Sequence, residues 1–309
     1  MSYSEPCDFG LLDSILACPY CRAELHRYSG SLCCTECSAE FAQSSQAWVN
    51  LYPEKDVSLH EPNWTRRQEE MEDWYRILIV NRRAAADCFR VDYTPYASLI
   101  ETLTGRVLDI GGGIGLTRHF LPADTRYVVV DPSLDWLSVD WTALSDQFPC
   151  LSTPPCFVHG IGERLPFRDA SFDSAVALWS LNHATDPATV FSEVARVLVP
   201  GGRFLAVLED MIPRWRDAFV PTGSATGEFR WPRILARKTR LALLRQPWPL
   251  QSDHIRIDEG DVAKWTADRF DLERRAWIGR YLTFEFIRTN ARNGSRAFRT
   301  ATPPNSPPG

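Results

Sequence analysis

Arg106-Val107-Leu108-Asp109-Ile110-Gly111-Gly112-Gly113-Ile114-Gly115 is the stretch on which the fold of this chain turns. Its first half is a short apolar run bounded by a turn signal, the pattern of a buried strand. Its second half is a glycine turn, and Leu116 to Leu121 then reads as the start of a helix. Glycines at 111, 113 and 115 let the backbone approach a ligand that a Cβ would strike. A glycine turn alone fits many nucleotide sites and some plain tight turns.

Asp109 narrows the choice. A carboxylate just before the turn repels a pyrophosphate but attracts a ligand with an amino group and a sulfonium, which favours S-adenosylmethionine over a dinucleotide. The next strand, Arg126 to Val130, runs into Asp131-Pro132. An acidic residue at that tip can accept hydrogen bonds from both hydroxyls of a ribose. The bland alternative for Asp131 is a helix N-cap in Asp-Pro-Ser.

Residues 105–210 alternate β-branched runs with helical patterns, as βαβ units around a parallel sheet do. Five ordered segments carry a family resemblance: Val107–Gly115, Tyr127–Ser133, Glu163–Asp173, Leu181–Pro187 and Leu198–Phe204. Together they resemble the class I methyltransferases, most closely the branch of the ubiquinone and menaquinone C-methyltransferases. The resemblance implies an α/β, Rossmann-like fold: a doubly wound, mostly parallel seven-stranded sheet. It implies an S-adenosylmethionine-dependent methyltransferase, with Asp109, Gly111, Gly113, Gly115, Asp131, Pro132, Gly162, Glu163 and Trp179 as cofactor-binding candidates. One departure stands out. The family places an acidic residue before the position of Gly162 to take the adenine amine, and this chain has Ile161 there.

Cys18-Pro19-Tyr20-Cys21 and Cys34-Thr35-Glu36-Cys37 form two C-x2-C knuckles. Each presents two thiolates to one ion at the tetrahedral angle that Zn2+ prefers, so a structural Zn2+ is expected, with buried thiols or a redox dithiol as the alternatives. So short a segment has little core of its own, and metal binding would be its folding energy. The segment resembles the zinc-ribbon proteins that activate tRNA and translation-factor methyltransferases. With Trp48-Val49-Asn50-Leu51 it also resembles the N-terminus of rRNA guanine-N1 methyltransferases, where the second pair usually ends in histidine rather than Cys37. A partner protein on the ribbon is therefore one expectation.

The sequence divides into a zinc ribbon (1–55), a helical linker or substrate-gating segment (56–104), a methyltransferase domain (105–288) and a disordered tail (289–309). Trp64, Met71, Trp74, Ile77 and Leu78 recur at helical spacing in the linker. Leu272–Ile278 and Tyr281–Arg288 read as two final strands. Within 211–252, a basic lid insertion, eight Lys and Arg between Arg214 and Arg245 face only Asp217 and Glu228, with Trp215, Phe219, Phe229 and Trp231 between them. That mixture can stack on bases, cover a lipid or form a solvated lid.

Net charge is −5 over 309 residues, so no overall positive field gathers nucleic acid. No apolar run reaches membrane-span length and the start lacks a secretory signal, so a cytoplasmic protein is expected, with its nine cysteines mostly thiols or metal ligands. Methyl transfer needs alignment and exclusion of water, and a base only where the acceptor carries a proton. His254, His183 and Glu209 are the catalytic candidates, with Trp179, Asn182 and Asp210 also candidates at the expected acceptor face; for His183 a helix-start role competes equally. The leading expectation is a small-molecule or lipid-like acceptor. An RNA substrate is the second, and a non-catalytic adaptor, supported by Ile161, the third.

Overall fold

A computed structural model of the protein describes residues 9–43, 48–55, 65–66, 68–70, 72–73, 76, 80–138, 140–209, 211, 231–245 and 254–289. Trp64, Met71, Trp74, Ile77, Leu78, Asp210, most of the basic insertion and all but Thr289 of the tail lie outside the described residues.

The N-terminal segment begins with a helix, Phe9–Ile15, followed by β1 (Leu25–Tyr28), β2 (Ser31–Cys34) and β3 (Glu40–Ala42), a three-stranded antiparallel ribbon. Then come β4 (Trp48–Asn50), β5 (Arg106–Ile110), β6 (Arg126–Asp131), β7 (Cys156–His159), β8 (Phe172–Leu178), β9 (Leu198–Leu208), β10 (Phe270–Ile278) and β11 (Tyr281–Arg288). These eight form one sheet in the order β10-β11-β9-β8-β5-β6-β7-β4. Strands β4 to β9 pair parallel, and β11 enters antiparallel between β9 and β10. The seven strands implied by the resemblance are all present. The eighth, β4, comes from the segment after the ribbon and extends the edge at β7.

Strands buried on both faces read as near-continuous apolar runs, and here alternate residues enter different cores. Leu108, Ile110, Val128, Val130 and Val158 face one core, while Val107, Tyr127, Val129 and Phe157 face the other. Leu12, Leu16, Phe41, Val49 and Leu51 belong to the first of these, so ribbon and sheet share a continuous hydrophobic core.

The helix expected after Gly115 is only a 3-10 turn, Leu116–His119. Leu121 precedes Pro122, and a residue before proline is pushed out of the helical region, which halts the turn before a second one forms. Cys156 is disulfide-bonded rather than a thiol.

The ribbon is seated by backbone and charge. Ala17 N donates to Pro166 O (2.9 Å), Arg168 N donates to Ile15 O (2.8 Å), and Leu16 bridges Phe167 antiparallel. Arg22 reaches Glu193 (2.9 Å) on the helix Pro187–Val197. Glu193 also pairs with Arg196 at 2.6 Å, both side chains less than a tenth exposed, and Arg196 donates onward to Leu165 O and Phe167 O. A buried pair broken on one side leaves an uncompensated charge, at a cost of about 3–5 kcal/mol. Glu193→Gln should therefore lower stability by that order in urea denaturation, with loss of the Leu165–Arg168 protections in hydrogen exchange.

Candidate functional site

The carboxyl ends of β5, β6, β8 and β9 open into a cleft of about 540 Å3. One half is built from the glycine turn, Asp131, Pro132, Trp136, Ile161, Gly162 and Glu163. The other is built from Trp179, His183, Glu209, His254, Arg280 and Tyr281, with Cys88, Asp92 and Tyr93 from the helix Arg82–Tyr93 above them.

The glycine turn is fixed by the protein itself. Gly111 has φ 67°, and a Cβ there would lie 2.4 Å from Ser180 Cβ; Gly113 has φ 51°, and a Cβ would meet the Trp136 ring at 3.1 Å. Neighbouring side chains thus already fill the space a Cβ would need at these two positions. Gly115 and Asp109 are absent from the cleft lining. Gly115 N closes the turn onto Gly112 O (2.9 Å). Asp109 is buried and accepts a 2.5 Å hydrogen bond from Tyr127 Oη, so it is a strand-end anchor rather than a wall of the cleft. Burial raises the Asp109 carboxyl to about 6, against the pull of the Thr117 and Tyr127 hydroxyls.

Asp131 does sit in the cleft. Its Oδ2 accepts from Gly113 N (3.0 Å), and its Oδ1 accepts from Ser133 N (2.9 Å) and Trp136 Nε1 (3.1 Å). Of about four lone-pair sites on a carboxylate, three are thus occupied. Burial raises the group to about 7 despite these donors, with the Asp109 charge adding to the rise. Pro132 O is bonded to His159 Nε2 (3.0 Å), whose Nδ1 meets Asn50 Oδ1 (3.1 Å) while Tyr52 stacks on the ring at 4.5 Å. Burial holds His159 down near 4. The strand that follows the ribbon therefore touches the loop after β6 through one imidazole.

Gly162 and Ile161, which the sequence reading associates with adenine, both line the cleft. Ile161 is buried and packs on Tyr52. Glu163 Oε1 accepts from Thr185 N (2.7 Å), Thr185 Oγ1 (2.9 Å) and Asp186 N, so it braces the start of the helix Pro187–Val197 at the same time. Trp179 holds φ 60°, costly for a bulky side chain, and its indole packs within 6 Å of Tyr93, Tyr96 and Tyr281.

The three catalytic candidates, spread over 183–254 in the chain, converge. His254 Nε2 lies 3.1 Å from Glu209 Oε2, both side chains under a tenth exposed, and the His183 and His254 ring centroids are 4.6 Å apart. Asn182 assembles them. Its Nδ2 donates to Glu209 O (3.0 Å) and Ile255 O (3.1 Å), its Oδ1 accepts from Glu209 N (3.0 Å), and its own carbonyl accepts from Ile255 N. Fully buried, Asn182 is a clasp between strand ends rather than a reacting group.

Arg280, Tyr281, Asp92, Cys88 and Trp136 are cleft residues that sequence reasoning missed. The signal for Arg280 was the hairpin itself: an antiparallel last strand returns its Gly279-Arg280 tip to the edge where the parallel strands end. In the linker, Ser133 donates to Glu72 (2.5 Å) and Arg76 pairs with Asp135, tying that segment over the loop after β6. Lys238, counted from sequence with the basic lid, is buried, with its ammonium 4.9 Å from the Trp277 ring centroid.

Cys18, Cys21, Cys34 and Cys37 gather with all four sulfurs within 4.8 Å of one another; Cys18–Cys37 is 3.6 Å and Cys21–Cys34 3.3 Å. Bonds of about 2.3 Å to a tetrahedral Zn2+ require sulfurs roughly 3.8 Å apart, so the cluster fits the ion after small adjustments.

Asp131→Ala should weaken S-adenosylmethionine roughly 10- to 150-fold, the loss of one charge-assisted bond of about 1.5–3 kcal/mol, measured by calorimetry. The pH dependence has a definite sign. Near neutrality the free protein begins to hold a proton on Asp131, and donors on a ribose prefer the carboxylate, so affinity should be flat above pH 7 and fall as pH drops below it. Cys18→Ser with Cys37→Ser should abolish stoichiometric zinc in metal analysis and, through Asn50, His159 and Pro132, also reduce cofactor affinity.

A family model described as a methyltransferase domain matches residues 108–206. The ubiquinone/menaquinone biosynthesis C-methyltransferase of Rubrivivax gelatinosus is 33% identical over 119 residues, covering 35% of this chain and 41% of that one. The demethylmenaquinone methyltransferase of Paenarthrobacter aurescens is 27% identical over 169 residues, covering 53% and 60%. The chain thus spans about half the length of the curated relatives it matches. The solved 1,6-didemethyltoxoflavin-N1-methyltransferase of Burkholderia thailandensis superposes with a TM-score of 0.47 at 16% identity, covering 87% of this chain and 100% of that one. Over residues 108–206 the chain is thus similar to methyltransferase domains, among them those of the quinone C-methyltransferases.

Proposed function

We infer that the protein transfers a methyl group from S-adenosylmethionine to a small-molecule acceptor. The observation that carries this is a single cleft with a ribose-side carboxylate and glycine turn at one end and the His183–Glu209–His254 group at the other. A volume of about 540 Å3 lies in the range of sites for metabolites. Its aromatic wall of Tyr93, Trp179 and Tyr281 suits a ring-bearing or lipid-like acceptor, in keeping with the quinone and sterol C-methyltransferases among the relatives.

The cofactor supplies a methyl carbon already activated by a sulfonium. Asp131, with Gly113 and Pro132 beside it, holds the ribose end. The Trp179 box excludes water and offers π-faces toward the cation. An acceptor that carries a proton must lose it, and the His254–Glu209 pair is the polar group placed at the acceptor end for that purpose. The four cysteines hold a structural Zn2+ that keeps the ribbon folded against the sheet. Among the described residues no helix is long and apolar enough to cross a membrane.

An RNA acceptor draws less support. Lys238 is buried against Trp277 and so leaves the set of cations available to a phosphate backbone. Incubation with methyl-labelled S-adenosylmethionine and a cell extract resolved into low-mass and RNA fractions should place the label in the low-mass fraction. Label confined to RNA would overturn the substrate class. With an acceptor in hand, His254→Ala should lower kcat by roughly 10²- to 10⁴-fold and leave cofactor affinity within a factor of about two.

A further inference from the structure

His183, Glu209 and His254 are three different chain segments brought to one point, and their ligand-type atoms all lie within 4.8 Å of one another. Two imidazoles and one carboxylate are a set that divalent transition ions accept, and three protein ligands on one side leave further coordination positions open. Here the open side is the cleft, since all three residues line it. The set is also rigid. Asn182 fixes the backbone of Glu209 and of Ile255, and His183 follows Asn182 directly, so the three ligands hang from one buried amide. Burial of His254 and Glu209 leaves little hydration to strip away when an ion arrives.

We propose that His183, Glu209 and His254 bind a divalent transition ion that presents an acceptor oxygen to the cofactor end of the cleft. The ion's charge has an opponent. Arg280 lies close enough to Glu209 to feel its charge, and it is also drawn by Tyr281 and Asp92. A hard, oxygen-seeking ion such as Ca2+ gains little at two imidazoles, whereas Zn2+, Co2+ and Fe2+ bind them strongly. The ion therefore belongs to the second group. With it bound, His254 is a ligand and no longer the proton acceptor. An acceptor hydroxyl gives up its proton to bulk solvent as it binds the ion, its oxygen forms the new bond to the methyl carbon as the sulfur–methyl bond breaks, and S-adenosylhomocysteine leaves. Only this last role rests on the methyltransferase reading; the ion site does not.

The test uses full-length protein with zinc already in the cysteine ribbon, titrated with Co2+. The expected result is one Co2+ per chain, an absorption spectrum without the thiolate charge-transfer band that exchange at the ribbon would give, and hyperfine-shifted imidazole N–H proton signals from two histidines. The proton signals are read on the unaltered protein, so they do not depend on any variant folding. Glu209→Gln and His254→Ala should each weaken Co2+ at least tenfold while calorimetry in the same samples shows cofactor binding retained. No stoichiometric Co2+ in a protein that binds S-adenosylmethionine overturns the ion site and returns His254 to direct proton transfer. Co2+ bound equally well by both variants overturns it too. Failure to bind S-adenosylmethionine with the Co2+ site intact would instead sink the methyltransferase reading.

Discussion

A parallel sheet has to be covered on both faces, and that requirement governs where everything else in this protein lies. The carboxyl ends of β5, β6, β8 and β9 form one row, and the cleft opens from it. The row keeps its geometry because its central strands, β5, β6 and β8, are buried along nearly their whole length. On one face the helix Pro187–Val197 shares the cover with residues of the zinc-ribbon segment. Removing that cover would expose Val158 and its neighbours, and would lose the register that places Asp131 beside Gly113. The cysteine knuckles thus act on the cleft at a distance, through packing rather than chemistry.

Two carboxylates near the row share a dry environment and divide the work. Asp109 turns back to Tyr127 and fixes the end of β5; Asp131 turns forward and collects the donors of the turn. Each is raised by burial, and Asp131 also feels the charge on Asp109. A cationic ligand relieves that strain where a pyrophosphate would add to it. The charge argument made for Asp109 applies in this structure to Asp131, the carboxylate that meets the cleft.

Much of this was legible because it is local. The apolar run into Gly111–Gly115 and the Arg126–Asp131 strand are encoded within a dozen residues each, and the structure forms both strands at nearly the expected bounds. Leu272–Ile278 and Tyr281–Arg288 likewise form β10 and β11, the first beginning two residues early. What escaped is set by tertiary contact. Nothing in Trp48-Val49-Asn50 announces that it pairs with β7 rather than with the ribbon. The glycines were read as making room for a ligand, whereas Ser180 and Trp136 crowd them. Asn182 looked like a candidate at the acceptor face, and only its partners at 209 and 255 reveal a clasp. His183, Glu209 and His254 were chosen by residue type and position after strands, and their meeting depends on that same clasp.

The pairing of β4 with β7 imposes an order on synthesis. Asn50 and His159, which meet through Nδ1, are 109 residues apart, so the edge strand leaves the ribosome long before its partner exists. At about 5–20 residues per second that interval is roughly 5 to 20 seconds, during which an unpaired strand is open to wrong partners. A ribbon closed by metal within that time would present β4 next to an ordered unit, while Phe41 still waits for the sheet that completes its core. A metal held by Cys18, Cys21, Cys34 and Cys37 would then bear on the order of folding as well as on the finished protein.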